Sequence, residues 1–313
     1  MNRREFLAAA AAFPVAVRAG SALAAVPPLA LVTCDTESRL AVVDVGRGRV
    51  VRSIATLPGP RSVERVGDVA LVAHTAVGAV SIVDAHRVRR VLRGFSEPRY
   101  AAAHPGGRYA FVTDSAHSDV HTVDVARGAV VGRLRLDAWA RHLTLDAAGR
   151  TLWVGLGNAE ERVAVVDVTE PARPRLIRHV RAPFGAHDVG FDAAAVWVTA
   201  GDASEIVVYD RRRGLRLRLR AGRPPQHVAF GSGVAYVTSG RDGDLRVHAV
   251  ADGRMVRRTA VPVGSYNVQR GPGGRVITPS LDGGTLSVLD ARGRLVRAVH
   301  VAASCHDACF IAP

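Results

Sequence analysis

A six-residue apolar run that ends on an acid or its turn recurs seven times along the chain. The copies read LAVVDV (40–45), VSIVDA (80–85), VHTVDV (120–125), VAVVDV (163–168), IVVYDR (206–211), LRVHAV (245–250) and LSVLDA (286–291). The Asp marks are Asp44, Asp84, Asp124, Asp167, Asp210 and Asp290, with Ala249 in the sixth copy. They fall about 40 residues apart, and a period of that length built only of short strands is the signature of a β-propeller. The pattern therefore predicts an all-β fold, a seven-bladed β-propeller of four-stranded antiparallel blades. The repeat predicts one closed domain in this chain of 313 residues rather than the two that its length would suggest.

The sixth repeat is the easiest to divide. PQHVAF is an innermost strand, VAYVTS (234–239) a second, LRVHAV a third, and RMVRRT an outer edge strand. Gly231-Ser232-Gly233, Arg241-Asp242-Gly243-Asp244 and Ala251-Asp252-Gly253 supply the turns between them. The repeated Asp is expected to end the third strand and cap its turn, and Gly48, Gly128, Gly214 and Gly253 lie where that turn closes. The outer strands are rich in Arg, which suits an exposed edge that must not pair with another chain.

The repeat also predicts how the ring closes. The first strand-like segment (29–34) is a second strand, and the last, around His306-Asp307-Ala308-Cys309-Phe310, is a first strand. The two are expected to pair, so that one blade is shared between the chain ends. The chain has three cysteines, Cys34, Cys305 and Cys309. Aligned by repeat, Cys34 falls where Ser239 lies and Cys305 where Pro225 lies, which makes them cross-strand neighbours. A Cys34–Cys305 disulfide is the expectation for an exported chain. The rival is a soft metal such as copper held by the thiolates and His306. Cys309 is left as a buried small hydrophobe.

Net charge is +14, and the basic residues are all Arg. They are scattered through every repeat, without the aromatic interleaving that base stacking needs. The charge thus reads as compositional drift, and nucleic acid is not an expected partner. The start, MNRREFLAAAAAFPVAVRAGSALAA, resembles a twin-arginine export signal, with Asn2 and Ala8 departing from that pattern. Residues 1–25 are expected to be removed, leaving 26–313 as the propeller in the periplasm or outside the cell. The apolar run is too short to span a membrane, and the mature protein is expected to be a monomer.

Residues just before each innermost strand converge on the central funnel. In order they are Arg61-Ser62, Arg99-Tyr100, Arg141-His142, His187-Asp188, Gln226-His227, Tyr266-Asn267 and His306-Asp307. Arg61, Arg99, Tyr100, Arg141, His142, His187, Asp188, His227, Asn267, His306 and Asp307 are the candidate ligand-binding residues. His187, His227 and His306 are the candidate ligands of a divalent metal, and the Arg side would hold an anionic group. The alternative for the same residues is that polar side chains at strand starts satisfy backbone groups and water.

The second strands read LVT, LVA, FVT, WVG, WVT, YVT and VIT, with VVDV after and PGGR (105–108) before. This resembles the YVTN family of β-propeller repeats over about residues 29–313. That family is similar to lactonase-like and cytochrome d1 haem propellers, so the resemblance implies the fold and leaves three functions open. The first is a non-catalytic propeller that binds a small molecule or protein at its mouth. The second is a metal-dependent lactonase or lyase, for which no Glu appears among the paired mouth residues. The third is a cytochrome d1-like domain with His187 or His306 as an axial haem ligand. No P-loop, serine elbow or haem-attachment motif is present.

Overall fold

The computed structural model describes residues 28–157, 160–192, 195–210 and 214–312. The expected export segment therefore lies outside the described residues. Among the described residues the chain makes seven four-stranded antiparallel sheets, each a blade. Blade 1 combines Ala308–Ile311 with Leu29–Cys34, Arg39–Asp44 and Arg49–Ala55. Blades 2 to 7 follow in chain order, with innermost strands Pro60–Val66, Pro98–Ala103, Leu143–Leu145, Ala186–Phe191, Pro225–Gly231 and Gln269–Arg270. The expected closure is present, with Leu29 opposite Ile311, Leu31 opposite Cys309 and Val32 opposite Ala308.

The middle strands are buried on both faces, which is why they read as continuous apolar runs rather than as an alternation. Alternate residues serve opposite neighbours. Ala30, Val32 and Cys34 pack with Ile277 and Leu286 of blade 7. Leu31, Leu40 and Val42 pack with Val63, Ala70 and Val72 of blade 2. The same two-sided burial repeats around the ring, so the core is a circle of inter-blade layers rather than one central cluster. The outer strands are exposed, as their Arg content predicts; Arg49–Ala55 buries only Ile54.

The repeated Asp does cap its turn. Asp44 Oδ1 accepts the Arg47 N–H at 2.7 Å, and Asp124 Oδ1 accepts those of Ala126 and Arg127. Gly48 and Gly128 close these turns at φ +69° and +61°, a left-handed conformation that favours glycine. In every blade a register shift between the third and outer strands falls immediately before the Asp position, as at Val42/Val43 and Val288/Leu289. Such bulges bend the outer strand and add twist.

A second set of irregularities builds the channel. The innermost strands of blades 2, 3, 5 and 6 skip register at Pro60/Ser62, Pro98/Ala101, Ala186/Asp188 and Pro225/Val228. The skipped residues include Arg61, Arg99, His187 and Gln226. Proline at three of these starts cannot donate to the ladder, and the freed backbone turns the paired mouth residues toward the axis.

Cys34 and Cys305 are buried neighbours, as expected, but they are thiols rather than a disulfide. Their side chains are hydrogen-bonded to one another, which lowers the Cys34 thiol and raises that of Cys305. Cys305 lies ahead of the paired part of its strand, which begins at Ala308. Cys309 is buried and unpaired with either, as expected.

Candidate functional site

Most of the mouth pairs divide between two chambers of the channel. One chamber, of about 480 Å³, is lined by first members: Arg61, Arg141, His187, Gln226, Tyr266 and His306. The other, of about 300 Å³, is lined by second members: Ser62, Tyr100, His142, Asp188, His227, Asn267 and Asp307. Tyr100 and His227 border both. Members of all seven pairs line one or other chamber, and successive residues of an extended strand point to opposite sides, so neighbours in a pair enter different chambers.

Many of these polar side chains hold blades together. Ser62 Oγ donates to the Arg99 carbonyl of the next blade, and Asn267 Nδ2 donates to that of His306 at 2.6 Å. Asp188 Oδ2 accepts the Val228 N–H at 3.1 Å, and Asp307 Oδ2 accepts that of Val63 at 2.9 Å. The Thr of the second strands adds a parallel belt. Thr113 Oγ1 donates to the Arg141 carbonyl at 2.7 Å, Thr199 Oγ1 to that of Gln226 at 2.8 Å, and Thr238 Oγ1 to that of Tyr266. These bonds fix the backbone beneath the site, so the structural reading of strand-start polar residues holds for several of them.

Three histidines converge at the axis. His142, His187 and His227 each offer a ring nitrogen, and these atoms all lie within 4.8 Å of one another. His142 and His187 are almost wholly buried. His142 Nδ1 donates to the His187 carbonyl at 2.7 Å, which leaves its Nε2 as the free donor for a ligand. His227 Nδ1 faces Asp188 Oδ2 at 3.4 Å, so its Nε2 is likewise left over. A carbonyl or carboxylate behind a ligating imidazole is the usual way such a ring is oriented and made more basic. Of the expected ligands His187, His227 and His306, the first two belong to this cluster together with His142, and His306 is not part of it. His306 lies on the arginine side, close to Arg61.

Burial holds all four rings neutral. It is the leading cause of the depressed pKa of His142, His187 and His227, ahead of the charges around them. His306 is pushed down to about 3 by burial and then by Arg61. Neutral imidazoles are the form that binds a metal. Tyr100 caps the group, its ring 3.6 Å from that of His142 between centroids.

The smaller chamber contains a carboxyl that the mouth pairs did not include. Glu64 lies two residues further along its innermost strand than Ser62, and Gln269 of blade 7 donates to its Oε2 at 3.2 Å across the channel. Burial, then the neighbouring Asp307, pushes Glu64 up to about 8. Burial also lifts Asp188 and Asp307 to about 7. The channel is thus divided into an acidic side and an arginine side with a histidine belt between.

No family model matches the chain, and no curated protein is similar to it in sequence. Its fold is shared with solved structures. A functionally unknown protein from Desulfotomaculum acetoxidans aligns at TM-score 0.79 and 10% identity, over 91% of this chain and 99% of that one. Hydrazine synthase of Kuenenia stuttgartiensis aligns at 0.69 and 15%, over 80% and 89%. The dihydro-haem d1 dehydrogenase NirN, in complex with DHE, aligns at 0.64 and 12%, over 87% and 63%. At these identities the likeness is one of fold, and the chain is a seven-bladed β-propeller.

Proposed function

We propose that the centre of the propeller is a divalent-metal site made by His142, His187 and His227, and that the held ion binds a small molecule entering the channel. The observation that carries this reading is the convergence of three neutral ring nitrogens, two of them with the opposite ring nitrogen already engaged. Three imidazoles with an open fourth position are a donor set that suits zinc and leaves room for a ligand. Modest ring rotation would bring the nitrogens to the roughly 2.0–2.1 Å bonds that zinc takes. The crowding of Tyr100, His142 and His227 at the axis supports a bare ion over a planar macrocycle, because a haem would require these rings to part.

The test is the metal content of protein purified without chelators and then titrated with Zn²⁺. One ion per chain is expected for the wild type and a large loss for His142→Ala, His187→Ala and His227→Ala. Retention of the ion in all three variants would refute the site.

A second reading, hydrolysis or elimination at the ion, is favoured by Glu64, a carboxyl in the adjoining chamber with one face on Gln269. It predicts lactone turnover by the metal-loaded protein and its loss in Glu64→Gln with the ion retained. If metal binds and lactones are untouched, the binding role stands alone. The twin-arginine-like start supports export, to be tested by fractionation of cells expressing the full chain. In an oxidising compartment the Cys34–Cys305 pair would be expected to close.

A further inference from the structure

The arginine chamber names the class of ligand. Arg61, Arg99 and Arg141 stand at the same position in three consecutive blades, so their guanidinium groups gather on one side of the channel. Arg99 and Arg141 both lie over the Trp139 ring, at 4.9 and 5.2 Å from its centroid. Gly157 makes this possible, because a Cβ there would strike the indole. Arg99 has Glu97 at 3.3 Å. Among the described residues, no carboxylate lies in ion-pair distance of Arg61 or Arg141, and the buried Nε of all three is without a hydrogen-bond partner. The wall also carries Asp202, with Arg241 on the same wall and Arg223 paired with Asp242 at 3.2 Å.

Half-buried guanidinium groups with an inward Nε lacking a partner are favoured when an anion meets them. We infer that this chamber binds the carboxylate of a small organic acid, with Arg61 and Arg141 as its partners and Arg99 reinforcing the charge. A planar guanidinium pairs a carboxylate through two parallel bonds. The volume of about 480 Å³ exceeds what a lone inorganic ion needs and falls in the range of small-molecule sites. Tyr266, Leu281 and Pro224 give the wall an apolar portion for the rest of the molecule. The inference rests on the channel being a binding site, and it does not require the ion.

The experiment uses the full chain freed of metal by a chelator. Calorimetric titrations with benzoate, succinate, acetate and inorganic phosphate are run at matched ionic strength. Saturable binding of benzoate or succinate is expected, tighter than acetate or phosphate and weakened at higher salt. Arg61→Gln and Arg141→Gln should each weaken it at least about tenfold, while Arg257→Gln on an outer strand should not. Should Arg141→Gln fail to fold, Arg61→Gln and the salt dependence still decide. No saturable binding of the organic acids, preference for phosphate, or indifference to both substitutions would overturn the inference. Zinc binding that persists when acid binding is absent would leave the metal reading intact, and the converse would leave this one.

Discussion

His227 Nδ1 faces the Asp188 carboxylate at 3.4 Å across the boundary between blades 5 and 6. The same carboxylate accepts the Val228 N–H, so one side chain both joins two blades and aims an imidazole at the axis. Positioning of the site and cohesion of the ring are therefore the same set of bonds.

Asp188→Asn keeps an oxygen for the Val228 N–H but removes the charge behind His227. Zinc affinity, measured by competition with a chromophoric chelator, is expected to fall about 10–100-fold, the usual cost of losing such an outer partner. Thermal stability should change little. An unchanged affinity would mean that Asp188 is a blade latch only.

Thr199→Val is isosteric but deletes the hydroxyl that bonds the Gln226 carbonyl and accepts the Asp188 N–H at 3.1 Å. Both groups are left without that partner, at an expected cost of about 1–3 kcal/mol. Urea denaturation would show it as a lower midpoint with an unaltered slope.

Glu64 sets a pH dependence. Its carboxyl is raised from 4.5 to about 8 by burial and then by Asp307. A raised carboxyl favours folding fully below its unfolded pKa, and that contribution is lost as pH climbs through the folded value. The wild type should therefore lose stability between about pH 4.5 and 8 from this group, with Asp188 and Asp307 acting in the same direction up to about 7. The histidines act oppositely, because their depressed values penalise the fold as pH drops below 6.5. In Glu64→Gln the melting temperature should decline less than the wild type's between pH 6 and 9. Parallel curves would show that Glu64 does not titrate in this range.

Cys34 and Cys305 lie side by side, as thiols, near the seam where the ring closes. Mild oxidation by a disulfide-exchange reagent is expected to form that bond, seen as the loss of two hydrogens by intact mass and one linked peptide pair. The closed loop spans most of the chain, and the chain-entropy account assigns such a link about 5 kcal/mol. A raised melting temperature that Cys34→Ser abolishes would confirm the pairing. A linked Cys309 would contradict it.

The repeat made the blades legible because strand ends and turns are local: the Asp that caps a turn bonds N–H groups two and three residues on. The closing pair was legible too, since each end lacked the partner that every other repeat possessed. The convergence of particular histidines was not. It depends on how rings from blades 4, 5 and 6 approach in space, and in blades 5 and 6 on the register skips at Ala186/Asp188 and Pro225/Val228. His142 and His306 look equivalent as polar residues at strand starts, yet one is the second of its pair and the other the first. Glu64 was missed because it sits one step deeper in the strand. Its signal was a charge in a place that Ala102 and Gly190 fill in other blades.

The central claim is an ion held by three imidazoles, and X-ray absorption of the zinc-loaded protein tests it most directly. Nitrogen ligands at about 2.0–2.1 Å with the scattering pattern of histidine rings are expected, reduced in His142→Ala. Sulfur ligands at about 2.3 Å would place the metal at the cysteine seam instead and contradict it.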